Sequence, residues 1–152
     1  MRKIIIFINI IAALLFIYSC AKKEPAQTPA SHVLTDKISR RYGDLNIKVG
    51  NEQAKDLFGV KNDIDWTKVE NLSVRQSEQG EVGIFKLYSQ ANAGYIKQMA
   101  GERILNLQEH ADNLYELRLI NDGEARSYGN YVYYVIHTEK DGIFKIIEDS
   151  LR

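Results

Sequence analysis

The sequence predicts an α+β fold: a small, mainly antiparallel sheet of two hairpins, packed against one long helix and shorter N- and C-terminal helices. Three observations carry that expectation. Residues 91–118 place Ala93, Ile96, Ala100, Ile104, Leu107, Ala111 and Leu114 at steps of three and four, one apolar stripe along a helix. Two pairs of β-rich runs are each split by a short turn, at Glu78-Gln79-Gly80 and at Gly129-Asn130. Shorter helical patterns flank them near the start and at the end of the chain.

The chain opens on Met1-Arg2-Lys3, followed by an apolar run from Ile4 to Ile17 broken only by Asn9. A membrane-crossing helix needs about 20 apolar residues, and this run is shorter. A basic start, an apolar stretch of this length and a small residue at its exit are the anatomy of a secretory signal over residues 1–19. Ile17-Tyr18-Ser19-Cys20 resembles a bacterial lipobox, with Tyr18 a departure from the usual small residue. The resemblance implies cleavage between Ser19 and Cys20 and acylation of Cys20. Cys20 is the single cysteine, so no disulfide can form within the chain, and an acylated sulfur leaves no thiol for nucleophilic work. Each buried methylene contributes roughly 0.8 kcal/mol, so two or more acyl chains make a stable attachment to membrane lipid. The expected location is the extracytoplasmic side of the cell membrane. Ala21 leaves outer-membrane sorting open if the envelope has two membranes.

Residues 20–31 contain both prolines, Pro25 and Pro29, and no large apolar side chain, and read as a disordered tether. At up to about 3.3 Å per residue, the tether holds the domain no more than roughly 40 Å from the bilayer. Residues 32–152 suit one domain with one core. Loss of Arg2 and Lys3 with the signal leaves 18 basic against 20 acidic residues, a formal charge of −2. That balance argues against a nucleic-acid partner and offers no polybasic membrane patch.

Within the domain, His32–Tyr42 carries Leu34, Ile38 and Tyr42 at i, i+4, i+8 and stops at Gly43, a short helix. Asn51–Phe58 is a second, with Asn51 as its expected N-cap and Gly59 as its end. Val69–Gln76 sets Leu72 and Val74 against Asn71, Ser73 and Arg75, a half-buried strand. Glu81–Tyr88 is apolar on both faces and therefore more central. The long helix follows, weakened by about 1 kcal/mol at Gly101. Glu124–Tyr128 and Tyr131–Thr138 form the second hairpin. Ile143, Phe144, Ile147 and Leu151 line a closing helix, with Thr138 and Asp141 spaced as a capping box.

The order and spacing of "DLFGV" (56–60), "EVGIFKLY" (81–88), a long helix carrying Arg103 and Gln108, and "SYGNYVYYVIHTEKDGIFKII" (127–147) resemble the small bacterial lipoproteins with domain of unknown function 4358. The resemblance spans roughly residues 51–152. It implies a lipid-anchored extracytoplasmic domain without an assigned activity, and it supplies no catalytic residue.

No motif for chemistry stands out. Asn62-Asp63-Ile64-Asp65 hints at a calcium loop, but Lys68 and Val74 stand where that loop needs glycine and glutamate. His32, His110 and His137 lack metal-ligand spacing, so neither metal nor cofactor is expected. Glu102 with Glu109, or Asp63 with Asp65, are paired acids of the kind any chain with 20 of them contains. Neither a serine elbow nor a phosphate loop is present. The remaining signal is tyrosine. Tyr134 shares a strand face with Val132 and Ile136, the set assigned to the core, and Tyr131 and Tyr133 share the other with Val135. That second face is either covered by a terminal helix or open as a binding face for an envelope protein or a cell-wall glycan. The expectation is a binding or scaffold module at the cell envelope, not an enzyme. The alternative is a small envelope hydrolase acting on glycosides or peptides, which needs acids or histidines converging in a cleft. Cys20→Ser is expected to leave an unprocessed precursor that takes up no fatty-acid label in growing cells. Label on the variant would defeat the lipobox reading.

Overall fold

A computed structural model describes residues 28–58, 64–78 and 80–152. Among them are five strands: β1 (Ile47–Val49), β2 (Val69–Ser77), β3 (Gly80–Leu87), β4 (Glu124–Tyr128) and β5 (Tyr131–Ile136). They form one antiparallel sheet in the order β1-β2-β3-β5-β4. Five α-helices pack on it: α1 (Ser31–Arg41), α2 (Asn51–Asp56), α3 (Ala93–Glu109), α4 (Leu114–Asn121) and α5 (Lys140–Leu151). The class is α+β, as the periodicities require. Both expected hairpins form, and the β4–β5 turn puts its positive φ at Gly129 (56°), the first turn position, which a type II′ turn demands.

The sheet is buried on both faces. Leu72, Val74, Phe85, Val132 and Tyr134 lie beneath α3, where Ile96, Ala100 and Ile104 complete one apolar cluster. Val82, Ile84, Tyr131, Tyr133 and Val135 on the opposite face meet Leu34 and Ile38 of α1 and Ile143, Phe144 and Ile147 of α5. Central β3 therefore needs apolar residues in both directions, which explains why it sends Val82 and Ile84 to one face and Phe85 and Leu87 to the other.

This layering closes the expected binding face. Tyr131 and Tyr133 retain 2% and 1% of their exposure, because α1 and α5 cover them. The Tyr131 hydroxyl donates to the Pro29 carbonyl, and the Tyr133 ring lies 5.8 Å from that of Phe144. β2 is likewise more than half-buried: Ser73 sits under α1, its hydroxyl 2.7 Å from that of Thr35.

Several boundaries differ from expectation: α2 ends at Asp56 and not at Phe58, and β5 ends at Ile136 and not at Thr138. The domain begins before residue 32: Ser31 is fully buried, its N–H donates to the Asn71 side chain (2.8 Å), and Lys86 reaches the Thr28 carbonyl. The stretch 91–118 is not one helix. Asn113 is extended (φ −153°, ψ 166°); its side chain accepts the Glu116 N–H, and the Glu116 carboxylate accepts the Asp112 N–H, each at 2.9 Å. These reciprocal bonds start α4 afresh, so Leu114 leaves the stripe and is 76% exposed. Gly50, not Asn51, precedes α2, and Glu139, not Thr138, precedes α5. The three-residue β1 had no periodicity long enough to betray it.

Replacing Tyr131 and Tyr133 together with serine should lower the melting temperature steeply, since removal of one buried ring costs about 3–5 kcal/mol. An unchanged thermal melt would show that α1 and α5 do not cover the sheet.

Candidate functional site

The site grows from one buried charge in β3 and one in α3. Glu81 opens β3 on the face beneath α3, and Arg103 falls on the buried side of α3 between Ala100 and Leu107. An unpaired charge in either place would be costly, and the two meet as a fork: Arg103 Nε lies 3.0 Å from Glu81 Oε1 and Nη2 lies 2.9 Å from Oε2. The Tyr134 hydroxyl donates to Oε1 and the Gln76 amide to Oε2, both at 2.6 Å. Arg103 Nη1 donates to the Leu57 carbonyl at 3.2 Å, tying α3 to the end of α2.

Gly83 makes this network possible. A Cβ there would stand 2.1 Å from the Tyr134 ring, which crosses β3 at that position on its way to Glu81. No side chain other than hydrogen leaves the slot.

Burial alone would raise the Glu81 pKa, but the Arg103 hydrogen bonds and charge, then Tyr134 and Gln76, hold it below its ordinary 4.5. Burial, and then the Glu81 charge, push the Tyr134 phenol well above 10. With four donors on its two oxygens, Glu81 is a fixed anion and a poor proton carrier.

A cleft of about 380 Å³ opens over the pair, within the size range of small-ligand pockets. Leu107, Leu119 and Ile120 form its apolar side, and Glu78, Tyr115 and Glu116 line its more exposed side. Three carboxylates therefore face one guanidinium, a balance that favours cationic or donor-rich ligands. The cleft lies at the Gly80 end of β3. Thr28 and Pro29 are held at the other end, by Lys86 and Tyr131. At about 3.4 Å per residue, the eight residues of β3 separate the two ends by about 24 Å.

The residues singled out from the sequence do not assemble here. Ser19, Cys20, Asn62 and Asp63 lie outside the described residues. Asp65 accepts the Thr67 N–H and caps the turn Trp66–Lys68. Glu102 accepts from Gln98, and Glu109 is exposed at the end of α3. The histidines are apart in role: His32 is exposed, His110 bonds the Asn106 carbonyl, and His137 is buried. His137 Nδ1 accepts the Glu139 N–H (3.0 Å), so Nε2 carries the proton donated to Asp44 (2.7 Å). That ring caps α5. Among the described residues no three potential metal-ligating acids, histidines or cysteines cluster.

The sequence pattern does not reveal that Glu81, Arg103 and Tyr134 meet, because each sits in an otherwise apolar pattern. The available signal was the conflict itself: an arginine in the α3 stripe and a glutamate leading a two-faced strand each need a buried partner. Comparison with family models, curated proteins and solved structures finds no match to the chain.

Arg103→Met should destabilise the fold by about 3–5 kcal/mol, leaving Glu81 buried and unpaired. The pH dependence should also reverse. In the native protein the depressed Glu81 pKa contributes stability above about pH 4.5, lost as pH falls through the folded value. In the variant, burial raises that pKa, so stability should improve on acidification. Urea unfolding midpoints between pH 4 and pH 7 check both signs.

Proposed function

We propose that this chain is a lipoprotein held on the extracytoplasmic face of a membrane through acylated Cys20, and that its domain is a binding or scaffold module with the Glu81–Arg103 cleft as its ligand site. The observation that carries this reading is the position of the cleft, at the end of the sheet opposite Thr28, where the chain runs back towards Cys20. A ligand site so placed opens away from the anchoring surface. The resemblance to the lipoproteins with domain of unknown function 4358 agrees with it, since those too carry a lipobox and tether ahead of the domain.

The competing reading, a small envelope hydrolase, has Glu78, Glu81 and Glu116 in one cleft in its favour. The saturated Glu81 carboxylate counts against it, because general acid catalysis needs a carboxyl with a raised pKa.

The test is photo-crosslinking on live cells from a reactive amino acid at position 115, beside the cleft, and at position 33, an exposed site on α1. Capture from position 115 alone, abolished by Glu78→Lys with Glu116→Lys, is the expected result. Identical capture profiles from both positions, or capture indifferent to the charge reversals, would remove the cleft from the reading.

A further inference from the structure

Four tyrosines are conspicuously exposed: Tyr88 (69%), Tyr115 (58%), Tyr128 (44%) and Tyr95 (37%). Tyr115 belongs to the cleft. The other three gather at the opposite end of the sheet. Tyr88 directly follows β3, Tyr128 closes β4 beside the Gly129-Asn130 turn, and Tyr95 lies in the first turn of α3. The turn is bonded to the end of β3: Asn130 donates its side-chain amide to the Leu87 carbonyl and accepts the Leu87 N–H at its own carbonyl. Tyr88 and Tyr128 are therefore carried on one braced surface. Trp66, the single tryptophan, begins the short turn that enters β2 at this same end and is half-buried.

We infer that this tyrosine-bearing end of the sheet is a membrane-contact surface, which rests on the lipid interface beside Cys20 and holds the cleft outward. The inference rests on the lipoprotein reading. The chain length supports it: with Thr28 pinned to Lys86, the backbone from Cys20 to Thr28 spans no more than about 28 Å even when fully extended. Tyrosine suits that position, because its ring enters the interfacial region while its hydroxyl stays wet. Charge is not the basis of the contact. Lys86 is paired with Glu70 (2.8 Å) and Lys68 with Asp65 (3.4 Å), so the surface carries no uncompensated basic patch from either lysine. Contact should therefore persist on zwitterionic lipid and at high salt.

The experiment uses the full, acylated chain reconstituted into phosphatidylcholine vesicles with brominated acyl chains, which quench nearby tryptophan. In a Trp66→Phe background, Tyr88→Trp reports on the sheet end and Tyr115→Trp on the cleft. The expected result is loss of emission for Tyr88→Trp, unchanged in high salt, and none for Tyr115→Trp. Vesicle flotation separates the two premises. If the chain floats with the vesicles but Tyr88→Trp stays bright, the contact surface is wrong and the anchor stands. If the chain does not float, the anchor itself is wrong and the contact falls with it. Quenching at both positions, or quenching abolished by salt, overturns the inference. Hydrogen exchange on the otherwise unaltered acylated chain gives the same reading without touching Trp66. The amides around Tyr88 and Gly129 should slow on vesicles, and Tyr88→Ser with Tyr128→Ser should restore their exchange. No slowing on vesicles overturns the contact.

Discussion

The buried ion pair between Glu81 and Arg103 sets the constraint from which much of this fold follows. It joins the central strand to the longest helix, and burial makes the pairing obligatory: neither charge can be left alone in an interior of low polarity. From it follow the neighbouring requirements. Glu81 has two further lone-pair positions to fill, which draws in Tyr134 and Gln76. Tyr134 reaches Glu81 across β3 because Gly83 leaves its ring a slot. Arg103 turns its remaining nitrogen to Leu57 and so fixes the end of α2 against α3. The cleft above the pair is what remains where the sheet end, α3 and α4 cannot close over these groups.

The second organising feature is a sheet with no free face. α3 covers one side, and α1 with α5 covers the other. That arrangement draws the start of the described chain into the structure, since Ser31 bonds to Asn71 and the Pro29 carbonyl accepts from Tyr131. α1 is thus part of the core and not a lead-in to it. The same burial pushes the Tyr133 phenol up to about 12, with the nearby Glu148 charge adding to the effect. Its hydroxyl reaches towards Glu148, which also meets Arg126, and the Arg126 guanidinium lies 3.9 Å from the Phe144 ring centre. Edge strand β4 is in this way dressed with paired charges, which discourages pairing with another chain.

These two features give the molecule two unlike ends. One carries the cleft, with carboxylates around a buried guanidinium; the other carries exposed tyrosines beside the point where the chain leads back towards Cys20. A rigid antiparallel sheet between them transmits orientation, because its length cannot change. A constraint at one end therefore sets where the other end points.

Local patterns were legible in the sequence and long-range choices were not. The alternation in β2 and β5, the Gly129-Asn130 turn and the stripe through Ile96, Ala100 and Ile104 each depend on residues close together in the chain, and each appears where the periodicity puts it. The pairing of Asn113 with Glu116 was also local, but the apolar spacing continued through it, and the stronger pattern masked the helix break. What only the tertiary structure decided was which surfaces are covered. Tyr131 and Tyr133 read equally well as an open face or a core face, because the helices that bury them come from residues 31–41 and 140–151. The ion pair is of the same kind. Glu81 and Arg103 stand 22 residues apart, and only packing α3 over β3 brings the two charges to one place, where burial obliges them to bond.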